Sequence, residues 1–360
     1  MAGRRALTVA SSTAGTARSC VPRIAVVRAL PGVGDLLCAV PALRAVRAAH
    51  PAARVTLVGL ASATWFVDRY AGLVDDLLVV MGVPGLPEVE PGAAAALDFY
   101  RSAQARRFDL ALQLHGSGVT TNPLTAMLGA RHLVTAHLAG QWRPPGTTVG
   151  YPSGGPEVHR LLAVTSAGGC PTVDDAVDLP VSPAEQATAR ALVGGSGPGP
   201  GAYACLHPGA SRADNRWPAE RFATVADRLA EAGLRVVLTG TPGERAVVDA
   251  VARATASPVV DACGRTDVGT LGALFAGANL VVSNDTGAAH VAAAVRSPSV
   301  VVFPAAADPD RWAPLDTRRH VAVVPAPGAA DPWPAVDDVL AGAVHHLAGQ
   351  ISDRRPEEAS

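Results

Sequence analysis

A chain of 360 residues exceeds the roughly 250–300 at which a single hydrophobic core stops growing, so two domains are expected. With 49% hydrophobic residues, 17% charged residues and a formal net charge of −1, the composition excludes an intrinsically disordered chain and has no basic footprint for nucleic acid. Five cysteines, Cys20, Cys38, Cys170, Cys205 and Cys263, show neither a CxxC pair nor metal-ligand spacing, which fits a reducing, cytoplasmic compartment.

Residues 1–22 hold small polar residues and two early arginines but no apolar stretch of about 7–15 residues, so they read as a flexible tail and not a signal peptide. No run of about 18 apolar residues offers a membrane span. RIAVVRAL (23–30), the periodic LLCAVPALRAVRAAH (36–50) and RVTLVGL (54–60) then predict strand, helix, strand. DDLLVV (75–80), a helix over 94–106, FDLALQL (108–114), a helix over 124–128 and HLVTAHL (132–138) extend an open parallel sheet. GGSGPGPG (194–201) can hold neither helix nor strand and marks a linker between a domain at 23–193 and another at 202–330.

Beyond the linker the pattern restarts. YACLH (203–207), RVVLTG (235–240), PVVDACG (258–264), NLVVSND (279–285) and SVVVF (299–303) read as strands, separated by helices at 218–233, 243–255, 270–278 and 287–295. The fold class is α/β, with two Rossmann-like, doubly wound domains. A last helix spans 335–349, within a closing segment 331–349, before the tail 350–360. No repeat of fixed period accompanies them.

Doubly wound sheets bind ligands at the carboxyl ends of strands. The turns there are LPGVGD (30–35), HGSG (115–118), HPGASR (207–212), TGTPGE (239–244) and SNDTGAAH (283–290). The first fails the dinucleotide fingerprint: Gly32 and Gly34 match, but Leu37 takes the third glycine position, and no acid follows the next strand near 59–62. It offers instead Asp35, an acid at a helix start, which is either a cap or a base. The last turn holds Ser283, Asn284, Asp285 and Thr286, then Gly287 and His290. A strand ending at Ser283 delivers 284–287 to the sheet edge, where the free N–H groups of a helix start make an anion site. There Thr286 adds a hydroxyl donor, Gly287 allows close approach, and His290 reaches the same anion; alternatively Asp285 or Thr286 only caps the helix.

HPGASRADNRWPAERF (207–222), LTGTPGE (238–244) and LVVSNDTGAAHVAAAV (280–295), together with ALPGVGDLLCAVPALRAVRAAHP (29–51), resemble glycosyltransferase family 9, the ADP-heptose heptosyltransferases. The resemblance spans roughly residues 23–320. It implies a GT-B architecture in which two Rossmann-like domains face across a cleft and the last helix packs back on the first. It implies an inverting, metal-independent transfer of a heptose or related sugar from an ADP-sugar to a hydroxyl of a glycan, glycolipid or metabolite, with no cofactor. By the same resemblance Asp35 is the general base, with Gly34, His115 and Ser117 on the acceptor side. The donor site takes Ser211, Arg212, Arg216, Gly240, Glu244, Asp285, Thr286, Gly287 and His290. The implied setting is cytoplasmic, with peripheral association at the inner membrane face.

One departure stands out: the family lysine two residues before the tryptophan is Asn215 here, with Arg216 adjacent and Arg212 close, either of which can supply a guanidinium to a phosphate. Asp308 and Asp310 have the spacing of a metal-binding acid pair but sit beside Arg311 and Trp312, and read as a polar loop. Two other functions fit the same motifs, a non-catalytic nucleotide-sugar-binding protein and a GT-B-type sugar-nucleotide epimerase.

Overall fold

The structure, a computed structural model, describes residues 21–194 and 203–352. The expected tails at 1–22 and 350–360 and the linker at 194–201 fall almost wholly outside the described residues.

The first half runs β1 (Arg23–Val27), α1 (Val33–Cys38), α2 (Val40–Ala49), β2 (Arg54–Gly59), α3 (Thr64–Arg69), β3 (Asp76–Val79), α4 (Ala93–Ala105), β4 (Leu110–Gln113), α5 (Thr121–Met127), β5 (His132–His137), β6 (Thr147–Gly150), α6 (Glu157–Ala167) and α7 (Pro183–Leu192). The second half runs β7 (Tyr203–His207), α8 (Ala219–Glu231), β8 (Arg235–Leu238), α9 (Arg245–Ala254), β9 (Val259–Asp261), α10 (Val268–Ala276), β10 (Leu280–Asn284), α11 (Gly287–Ala294), β11 (Ser299–Val302), α12 (Pro309–Trp312), β12 (His320–Val323) and α13 (Val336–Ser352). Each half builds a six-stranded sheet, ordered β3-β2-β1-β4-β5-β6 and β12-β11-β10-β7-β8-β9, and every strand pairing is parallel. Strand order reverses beside β1 in one sheet and beside β7 in the other, which places the ligand crevices at the ends of β1, β4, β7 and β10.

The strands read as apolar runs because helices cover both sheet faces; all five residues of β7 and all five of β10 are buried. The single helix expected over 36–50 is split at Ala39, which ends α1 and starts α2. Pro41 is the cause, since its ring excludes the carbonyl four residues back and its nitrogen has no proton to give.

The expected boundary at 193 falls on a segment shared by both halves: α7 packs on α10 of the second half and Leu179 N–H donates to Ala294 carbonyl at 3.2 Å, while Glu185 pairs with Arg69 of α3. One expectation is corrected. Helix α13 does not return to the first domain: Val339 and Ala343 are buried in the second domain's core, and the helix lies on α8 and on β10, β11 and β12. Gly342 permits that approach, since a Cβ there would stand 3.2 Å from Val300 Cγ2.

The domains meet through apolar packing. One buried cluster joins Ile24, Leu37 and Leu43 of the first half to Cys205, Leu274 and Val291 of the second. Its centre is the contact of α1 on α11, where a Cβ on Gly34 would lie 2.3 Å from His290 Cδ2 and one on Gly287 would lie 3.3 Å from Val33 Cβ. Two helix starts thereby abut.

Candidate active site

On the first-domain side, β1 ends and the chain turns through Arg28, whose side chain is fully buried. Its Nε donates to the Asp35 carbonyl at 2.6 Å and its Nη1 to the Leu114 carbonyl at 2.5 Å, while Nη1 and Nη2 both reach Glu157 Oε1 at 3.3 Å. Nη2 also lies 3.5 Å from Asp35 Oδ1. A guanidinium cannot shed its proton, so its burial requires these anionic and carbonyl partners. Asp35, in the first turn of α1, keeps 24% of its side chain exposed. Burial pushes its carboxyl above the ordinary carboxylate range, and Arg28 pulls it back.

The neighbouring turn follows β4. His115 Nδ1 accepts the Ala29 N–H at 3.2 Å, and burial beside Arg28 pushes the imidazole down to about 4, so it is neutral at physiological pH. Gln113 and Thr121 hold the His115 carbonyl at 2.7 and 2.8 Å. Ser117 lies partly exposed between Gly116 and Gly118, both at positive φ; a Cβ on Gly118 would strike the Asn122 amide and the Ala136 carbonyl. His115 and Asp35 are thus joined through Arg28 and the β1 turn.

On the second-domain side, a cavity of about 450 Å³ opens at the ends of β7, β8 and β10. Ser211, Arg216, Gly240, Glu244, Thr286 and Gly287 line it, as does Val33, two residues before Asp35, from the first domain. Glu244 Oε2 accepts the Thr241 N–H at 2.7 Å and its hydroxyl at 2.9 Å. Gly209 leaves room for the Glu244 carboxyl, since a Cβ there would fall 2.2 Å from it and displace that side chain. His207, held neutral by burial, meets the Thr239 hydroxyl at 3.0 Å. Thr286 is the N-cap of α11 but its hydroxyl makes no capping bond, so the hydroxyl and the Gly287 and Ala288 N–H groups remain for a ligand, the Ala289 N–H being bonded to the Thr286 carbonyl at 3.0 Å. Arg216 Nε donates to Ala210 carbonyl at 2.9 Å, and among the described residues no carboxylate lies within ion-pair distance of it.

Three expected donor residues, and Asn284 beside them, are placed otherwise. Arg212 is exposed and forks onto Asp214, so it does not line the cavity and Arg216 alone of the two arginines does. His290 is buried behind α1 with Nδ1 3.7 Å from Cys38 Sγ and its ring edge-on to Trp312, and burial pushes it down to about 4; it does not line this cavity but faces the neighbouring one beside Glu157 and Arg311. Asn284 turns inward: its amide donates to the Pro208 and Gly209 carbonyls and its oxygen accepts the Trp217 N–H at 3.0 Å, tying three segments together. Asp285 does not line the cavity either. Its N–H donates to Val302 carbonyl at 3.0 Å, and burial with nearby Asp308 pushes its carboxyl up to about 6, which suits accepting from a hydroxyl and not holding phosphate. Asn215 Nδ2 sits 3.5 Å from the Asp285 carbonyl, beside that carboxyl.

Three residues were not anticipated. Arg28 has a signal, a lone arginine inside an apolar strand; Glu157 and Arg311 have none. Glu157 Oε2 receives Arg311 Nε and Nη2, both at 2.9 Å, across the domain interface. Residues 309–312 form the helical turn α12, capped by Asp308 on the Arg311 N–H, in place of the expected loop.

Two Rossmann-like domains with facing strand ends, a carboxylate on one and a cavity of about 450 Å³ on the other, define the GT-B class of glycosyltransferases. The model of glycosyltransferase family 9 (heptosyltransferase) matches residues 97–331, and the chain belongs to that family. It is 31% identical to a lipopolysaccharide heptosyltransferase 3 of Escherichia coli over 176 residues, 48% of this chain and 51% of that one, so the chain spans about half the length of this curated relative. The fold is similar to the family 9 glycosyltransferase of Veillonella parvula DSM 2008, with a TM-score of 0.75 at 20% identity over 91% of this chain and 98% of the other. It is also similar to E. coli ADP-heptose LPS heptosyltransferase II, with a TM-score of 0.67 at 19% identity over 92% and 100%. Among the described residues, no helix is long and apolar enough to cross a membrane.

Proposed function

We propose that the protein transfers a heptose from ADP-heptose to a hydroxyl of a glycan, glycolipid or metabolite acceptor, with inversion and without a metal. The observation that carries this reading is the meeting of α1 with α11, which brings Val33, two residues before Asp35, to the wall of the second-domain cavity. The nucleoside diphosphate lies against Thr286, Gly287 and Arg216, where N–H dipoles and one unpaired guanidinium stabilise the leaving charge. Asp35 takes the acceptor's proton as its oxygen attacks the anomeric carbon from the face opposite the diphosphate, and a single displacement inverts that carbon. Asp285 accepts from a sugar hydroxyl. We place the reaction in the cytoplasm, with peripheral membrane association where the acceptor is a glycolipid.

The test is ADP release from ADP-heptose with and without cell-envelope extract, with EDTA present, followed by mass spectrometry of the products. Acceptor-dependent ADP release that survives EDTA is expected. Loss of turnover restored by Mg²⁺ or Mn²⁺ overturns metal independence; a changed sugar without acceptor indicates an epimerase, and binding without ADP release indicates a binding protein.

A further inference from the structure

We propose that Arg311, from the second domain, is a positioning residue for the Asp35 carboxylate, acting across the domain interface through Glu157 and Arg28. This builds on the reading of Asp35 as the base. The four side chains form one continuous chain. Arg311 Nε and Nη2 meet Glu157 Oε2 at 2.9 Å, Glu157 Oε1 meets both terminal nitrogens of Arg28 at 3.3 Å, and Arg28 Nη2 lies 3.5 Å from Asp35 Oδ1. Three members belong to the first domain, and the Arg311–Glu157 link crosses to the second. Arg311 is itself aimed: Asp308 accepts its N–H at 3.2 Å, its guanidinium lies 4.6 Å over the Trp312 ring, and it donates to the Tyr151 hydroxyl at 3.1 Å.

Charge balance makes this more than a latch. Two guanidiniums and two carboxylates sum to zero. Without Arg311 the set is left with one surplus negative charge in a water-poor site, where such a charge is strongly disfavoured. Arg28 cannot lose a proton, and Arg311 also attracts the Asp35 carboxylate directly, so its loss favours proton uptake at Asp35, whose side chain is 24% exposed. A protonated Asp35 cannot accept the acceptor's proton. The second domain, which bears the donor cavity, thereby helps keep the base ionised.

The other groups facing this set do not substitute for Arg311. Glu88, on the loop between β3 and α4, adds like charge to Asp35; His115 after β4 and His290 on α11 are held neutral by burial; Cys38 on α1 is a thiol pushed up to about 12.

The experiment is a carbon-13 NMR titration of carboxyl-labelled aspartate in the full-length protein, with Asp35→Asn identifying the resonance. Arg311→Met should raise the Asp35 midpoint by about half a pH unit or more, and Glu157→Gln should lower it. In the Glu157→Gln background the Arg311→Met shift should shrink, since Glu157 no longer holds Arg311 against the set and only the direct charge of Arg311 remains. Arg311→Gln makes the same charge change with a polar end and is read the same way if Arg311→Met does not fold. An Asp35 midpoint unmoved by either Arg311 variant, shifts of the same sign for Arg311 and Glu157, or an Arg311 effect undiminished without Glu157 overturns the proposal. The titration reads the carboxyl directly, so its outcome is separate from whether Asp35→Asn abolishes turnover.

Discussion

The two halves repeat one strand order, yet they finish their strand ends with opposite chemistry. After β1 and β4 the first domain buries a guanidinium between two carboxylates and leaves one of them, Asp35, at the edge of solvent. After β7 and β10 the second domain uses an inward-turned amide, a free threonine hydroxyl, a glycine and a neutral histidine, with Arg216 as a cation unpaired among the described residues. The difference follows from the tasks. A base needs its affinity for a proton set by fixed countercharges, whereas a diphosphate is held by donors already oriented by the backbone.

The largest effect should come from breaking the charged half. Asp35→Asn should fold normally and lose about 10²–10⁴-fold in kcat, measured at saturating donor and acceptor. Near-full kcat would make Asp35 a helix-start residue and nothing more.

The donor half is sharpened at Arg216. Arg216→Ala should weaken ADP binding by about 1.5–3 kcal/mol, read by calorimetric titration, while Arg212→Ala stays near wild type because that side chain is already paired with Asp214. Asn215→Lys should change affinity little. If it instead raises kcat/KM while Arg216→Ala is silent, the lysine's task is vacant and Arg216 has not assumed it.

The contact between the halves is tested by Gly34→Ala, whose new methyl would lie 2.3 Å from His290 Cδ2. Overpacking of this kind should cost about 1–3 kcal/mol in denaturant unfolding. Gly150→Ala, where a Cβ meets nothing within 4 Å, is the neutral control.

The smallest effect concerns Asp285, and its sign depends on pH. A carboxyl raised from 3.8 to about 6 binds its proton more tightly in the folded chain, so folding bears a cost that is full above about pH 6 and absent below 3.8. Asp285→Asn should therefore stabilise by roughly 1 kcal/mol at pH 8, discounted for partial exposure, and not at pH 3.5, in thermal melts. Equal stabilisation at both values would remove the charge explanation.

Most strands and the turns that bear the site were legible because apolar runs between glycine-rich turns are local signals. Elements with weaker signals went unread. β6 is a four-residue strand of intermediate burial, and α7 announces itself by a Ser182–Glu185 capping box and buries Ala189 alone. In the site, Asp35, Thr286, Gly287, Arg216 and Glu244 stand where their motifs placed them, at strand ends. His290 and Arg212 do not, because their spacing on the chain is compatible with facing the cavity or facing away from it, and only the packing of α1 or the proximity of Asp214 selects between them.

By itself the sequence determined two doubly wound halves, the family resemblance and the strand ends at which chemistry gathers, since periodicity, turn residues and short motifs are all properties of neighbouring positions. Only the tertiary structure decided that Glu157 and Arg311, 154 residues apart, share one carboxylate oxygen, that α13 stays with the second domain, and that the two helix starts touch. Those outcomes depend on which buried charges neutralise one another and which apolar faces meet, and both are set by distances between segments that no local pattern encodes.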